Sequence, residues 1–139
     1  SAGGRPRGAV RIGQRVGPLP NKPHGTTFAG NPRACAAASA ANQVIEAENL
    51  PQRAAELGLR LAEGLKAIPS PLVREVRGLG LMIAVELKCK SGPYLAALAE
   101  QGVLALSAGA NAVRFLPPLV IADQEVDRVV QATATVLES

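Results

Sequence analysis

Two strings of this 139-residue chain combine residue types that do chemistry. In Ala112-Val113-Arg114-Phe115-Leu116-Pro117-Pro118, one guanidinium stands among apolar neighbours on both sides. A cation held there needs an anion, because an unpaired buried charge is strongly destabilising. That anion is either a carboxylate of the protein or the carboxylate of a substrate, gripped by two parallel N–H···O bonds. In His24-Gly25-Thr26-Thr27-Phe28, followed by Gly30-Asn31-Pro32, two adjacent hydroxyls stand in a glycine-bounded loop just ahead of a helix start. Such a loop can present hydroxyl and backbone N–H donors to a phosphate. The commoner reading of such a string is an ordinary turn whose threonines satisfy the local backbone.

Other candidates carry less. His24 has no second histidine or acid nearby in sequence, which speaks against a catalytic or metal role. Cys35 and Cys89 are far apart, each in an apolar stretch and without C-x-x-C spacing, so they read as reduced, packed thiols of a cytoplasmic protein with no metal site. Gly3-Gly4-Arg5-Pro6-Arg7-Gly8 has the charge of a nucleic-acid arm but no interleaved aromatic, the pattern of a solvated stretch.

These residues need elements to hold them. The first thirty residues are expected to form loop apart from one short strand at Ala9-Val10-Arg11-Ile12. Asn31 caps and Pro32 begins an Ala-rich helix that ends near Glu48, and its small side chains predict burial. A second, amphipathic helix starts after Asn49, with Leu50, Ala54, Leu57, Leu61, Leu65 and Ile68 on one face and Arg53, Glu56, Arg60 and Glu63 opposite, stopped by Pro69 and Pro71. Arg77-Gly78-Leu79-Gly80 opens the main strand, in which Leu81, Ile83, Val85 and Leu87 alternate with Met82, Ala84 and Glu86. A helix from about Pro93 to Gln101 ends at Gly102, and short strands follow at Val103–Leu106 and Ala112–Leu116. Asp123 caps a last helix packed through Val126, Val129, Val130, Val136 and Leu137. Helix, helix, strand, helix, strand, strand, helix is the order of an α+β domain with a mostly antiparallel sheet and helices on one face.

Composition agrees with a folded chain: 47% of residues are apolar and 19% charged. No run approaches a membrane span and no basic-then-apolar leader opens the chain, so no membrane partner is expected. Because the first residue is Ser1, the chain is expected to be a processed product or a piece of a longer one. The net charge of +4 is mild, and Arg5, Arg7, Arg11 and Arg15 all precede the first acid, Glu46, which leaves a basic head on a nearly balanced body. Charge alone does not call for nucleic acid.

Taken together, four segments resemble the C-terminal portion of a class III (subgroup II) pyridoxal-phosphate aminotransferase, most closely the acetylornithine aminotransferase group. They are Gly8-Ala9-Val10 with Ile12-Gly13, then His24 to Pro32 with the Ala-rich helix, then Val73-Arg74-Glu75-Val76-Arg77-Gly78-Leu79-Gly80-Leu81-Met82, then Val113 to Val120. The resemblance implies the small α+β domain of fold-type I enzymes at 49–139, an inter-domain helix at 31–48 and a remnant of the large domain at 1–30. It implies pyridoxal 5'-phosphate as cofactor, with Thr27, and Thr26 beside it, reaching the cofactor phosphate of the neighbouring subunit of a homodimer. It makes Arg114 the holder of the substrate carboxylate. The implied reaction moves an amino group from acetylornithine, ornithine or a related ω-amine to 2-oxoglutarate, in arginine or lysine biosynthesis. The family's Schiff-base lysine would directly precede Ser1, and none of Lys22, Lys66, Lys88 or Lys90 falls at that place. The chain alone is therefore expected to be inactive without the N-terminal half of the same enzyme. The alternative is a non-catalytic binding or assembly module that keeps the small-domain fold.

Overall fold

Asn31 starts the first helix as its residue type predicts: Oδ1 accepts hydrogen bonds from the backbone N–H groups of Arg33 at 3.1 Å and Ala34 at 3.2 Å. The computed structural model describes Gly13, Arg15, Gly25, Thr27 and residues 29–138. The expected strand at Ala9–Ile12, and with it His24, Thr26 and Phe28, lies outside the described residues. The chain divides into two units, Ser1–Glu48 and Asn49–Ser139.

In the first unit, α1 (Pro32–Ala47) has no buried residue, contrary to the expectation from its alanines. Small side chains permit close packing but bury nothing without a surface to lie against. Cys35 is accordingly exposed rather than packed.

The second unit holds α2 (Leu50–Lys66), β1 (Val73–Leu79), β2 (Met82–Leu87), α3 (Gly92–Glu100), β3 (Leu106–Ser107), β4 (Ala112–Phe115) and α4 (Asp123–Glu138). The strands form one antiparallel sheet in the order β1-β2-β4-β3. β2 and β3 run parallel, joined through α3, with β4 between them, a split β-α-β arrangement. The predicted faces of α2 and β2 meet in the core, where Leu57, Leu61 and Leu65 share one cluster with Ile83, Val85 and Leu87. Val113 and Phe115 of β4 and Val126, Val136 and Leu137 of α4 complete it. The unit is α+β, as expected.

Four local expectations are corrected. Val73–Leu79 is a strand of its own rather than the lead-in to the main strand, and Gly80-Leu81 is a tight hairpin turn between Leu79 and its partner Met82. Gly80 has φ +52°, a conformation that glycine takes without strain. Pairing at the third strand is confined to Leu106 and Ser107; Val103 is buried as a core residue without a ladder partner. Pairing in β4 stops at Phe115, ahead of Pro117 and Pro118, which have no N–H to donate. At the start of α4 it is Glu125 that reaches back, accepting from the backbone N–H of Ala122 at 2.8 Å, while Asp123 pairs with Arg60 at 2.9 Å. Among the described residues no helix is long and apolar enough to cross a membrane, and no group of three or more His, Cys, Asp or Glu is placed to hold a metal ion.

Candidate functional site

Strand alternation decides where Arg114 goes. Its neighbours Val113 and Phe115 are both 3% exposed and belong to the core, so Arg114 projects from the opposite face of the sheet. It lies opposite Ala84 on β2 and Leu106 on β3. Arg114 Nε is buried and has no hydrogen-bond partner, and among the described residues the guanidinium enters no ion pair. Leaving such a donor unpaired costs on the order of 1–3 kcal/mol, more for a charged group. Of the two anions open to Arg114 at the level of sequence, a protein carboxylate is not found among the described residues.

The same sheet face carries an ion network that the sequence reading did not identify. Arg77, Ala84 and Arg114 form one row across β1, β2 and β4, and Glu75, Glu86 and Ala112 form the next. Glu86 accepts from Arg74 Nη1 on Oε1 at 3.0 Å and from Arg77 Nη1 on Oε2 at 2.6 Å. Arg77 Nη1 also donates to Glu75 Oε2 at 2.8 Å. The hydrogen bond from Arg77, then that from Arg74, hold the Glu86 carboxyl below its ordinary range. The hydrogen bond to Glu86, then that to Glu75, raise Arg77 above its ordinary value. The only signal in the chain was the placing of Glu86 on the polar side of its strand, since the register that brings Arg74 and Arg77 to it joins residues nine and twelve positions apart.

Thr27 is exposed in the turn region ahead of α1, and Thr26 lies outside the described residues. An exposed hydroxyl fits a phosphate oxygen as a donor. Asn31 already occupies the N–H groups of Arg33 and Ala34, so these two donors are not open to a phosphate.

A sequence model of the class-III aminotransferase family matches residues 2–137. The chain is 47% identical to LysW-aminoadipate semialdehyde transaminase of Deinococcus radiodurans, over 99% of this chain and 33% of that protein. It is 46% identical to an ornithine aminotransferase of an Exiguobacterium species, over 82% of this chain and 28% of the relative. Among solved structures, the acetylornithine aminotransferase of Elizabethkingia anophelis superposes with TM-score 0.77 at 32% identity, covering 93% of this chain and 32% of that one. Ornithine delta-aminotransferase of Plasmodium falciparum gives TM-score 0.80 at 32% identity, over 86% of this chain and 33% of that one. The chain thus spans about a third of the length of the relatives it matches. The solved neighbours are fold-type I pyridoxal-phosphate aminotransferases, the fold class expected from the sequence.

Proposed function

Because the chain belongs to the class-III aminotransferase family, we propose that it is the C-terminal part of an enzyme that moves an amino group from an ω-amino donor to 2-oxoglutarate. The donor class is ornithine, acetylornithine or a carrier-linked lysine precursor, a range supported by relatives named as ornithine and LysW-aminoadipate semialdehyde transaminases. In this reading 49–139 is the small domain, 31–48 the inter-domain helix and 1–30 a remnant of the large domain. The whole enzyme works as a cytoplasmic homodimer, its partners being small amino and oxo acids rather than nucleic acid.

Pyridoxal phosphate, the cofactor of this family, supplies an electron sink for the transfer when bound. Thr27, with Thr26 beside it, would donate its hydroxyl to a phosphate oxygen of the cofactor in the neighbouring subunit. Arg114 would bind and orient the substrate through its carboxylate, and a planar guanidinium fixes both position and angle. The observation that carries this role is the buried, unpaired Nε of Arg114.

Arg114→Lys in the full-length enzyme tests it, because lysine keeps the charge and loses the fork. One charge-assisted hydrogen bond is worth about 1.5–3 kcal/mol, so the KM for the amino donor is expected to rise about tenfold to a hundredfold with little change in Tm. An unchanged KM with a clear drop in Tm would assign Arg114 a structural role instead.

A further inference from the structure

Arg114 has a carboxylate within reach that it does not engage. Ala84 lies opposite Arg114, and Glu86, two residues further along β2, lies opposite Ala112 on the same sheet face. Diagonal neighbours of this kind are about 7–8 Å apart at the backbone, a span that side chains as long as arginine and glutamate close. A buried unpaired donor next to such a carboxylate gains by capturing it. Both oxygens of Glu86 are instead turned toward the opposite edge of the sheet, by Arg74 at 3.0 Å and Arg77 at 2.6 Å. Glu86 also borders a cleft of about 330 Å³ lined by Arg77, Ala108, Ala110, Asn111 and Ala112, which leaves its side chain room to move. The two arginines hold it.

Resting on the substrate-binding reading of Arg114, we propose that Arg74 and Arg77 are positioning residues that hold Glu86 back from Arg114 and keep the Arg114 guanidinium open to a substrate carboxylate. Without them, Glu86 becomes a tethered competitor for the same guanidinium. If Glu86 occupied Arg114 nine-tenths of the time, the open fraction would fall to about one-tenth and apparent affinity would weaken about tenfold. Arg74 and Arg77 have side chains 55% and 50% exposed, so their replacement opens no core.

The test uses the full-length, cofactor-loaded enzyme with Arg74→Gln and Arg77→Gln combined. KM for the amino donor and for 2-oxoglutarate is expected to rise about tenfold with kcat nearly kept, and the calorimetric Kd of glutarate, a non-reacting dicarboxylate, to rise in parallel. Adding Glu86→Gln should restore all three values. Adding Glu75→Gln should not, because Glu75 makes the same charge change on the edge strand, one strand further from Arg114. No rise in the double variant, or equal rescue by E75Q and E86Q, would overturn the proposal, since equal rescue reports net charge alone. If the double variant fails to fold, Arg77→Gln alone, with Arg77→Lys as the conservative control, gives the same pattern at smaller amplitude or refutes it. Arg114→Lys in the same assays separates the two readings. An unchanged KM there removes substrate binding and this proposal together, whereas a raised KM with no response to R74Q/R77Q overturns only the positioning.

Discussion

Gly58→Ala sets helix propensity against packing, and the structure decides the sign. Gly58 is buried in the middle of α2, where alanine is favoured over glycine by about 1 kcal/mol on propensity alone. A Cβ at position 58 would lie 2.8 Å from Gly80 Cα and closer still to the Gly80 carbonyl carbon and oxygen, all of them backbone atoms of the β1–β2 turn. Reaching the 3.4 Å at which ordinary contact begins takes about 0.6 Å at Gly80 Cα and more at its carbonyl, so the whole turn must shift. Overpacking of this kind costs about 1–3 kcal/mol, and the upper end applies because no side chain can rotate away. The net expectation is a loss of about 1–2 kcal/mol, which for a folded unit of this size is a fall in Tm of roughly 5–15 °C. Thermal and urea unfolding of the 139-residue chain, followed by circular dichroism, measures it. Gly64→Ala is the control: its nearest atom is Val130 Cγ2 at 2.8 Å, a side chain rather than backbone, so it should lose less. A raised midpoint for Gly58→Ala would refute the helix-to-turn contact and leave propensity as the ruling effect.

The acid dependence of stability tests the ion network. Because the folded Glu86 carboxyl titrates below its ordinary 4.5, its contribution is fully present above that pH and is lost as pH falls through the folded value. The midpoints of wild type and Glu86→Gln should therefore converge on acidification below pH 4.5, and curves that stay parallel would count against the network. Tyr94, the single tyrosine in a chain without tryptophan, offers a spectroscopic probe of the half-buried hydrogen-bonded pair it makes with Cys89, with Sγ and Oη 3.5 Å apart. Its hydroxyl is held above the ordinary 10.0, first by the hydrogen bond with Cys89, then by burial and by the neighbouring thiolate. Cys89→Ala should lower the ultraviolet titration midpoint toward 10.0, and an unmoved midpoint would show that the pair does not form.

Elements with one apolar face were legible in the chain because periodicity is a local property. Leu50, Ala54, Leu57, Leu61 and Leu65 recur every three or four residues, and all five are buried along α2. Ile83, Val85 and Leu87 alternate, and all three are buried on β2. Gly102, at φ +78°, ends α3 as its residue type predicts. β1 was not legible: Arg74, Glu75 and Arg77 leave Val76 as its single buried side chain, and the irregular register between Val73 and Glu75 breaks the alternation. Sequence alone also selected Arg114 as a cation in need of an anion, but not which anion. That choice depends on the pairing of Ala84 with Arg114 and of Ala84 with Arg77, which places Glu86 within reach of all three arginines and commits it to two. The burial predicted for α1 failed for a related reason, since small side chains state what a helix can pack against and not whether a surface is there. Residue type and spacing set the period of an element and the charge of a side chain. Register, and the approach of Gly58 to Gly80 across 22 positions of chain, exist only once distant segments share a core.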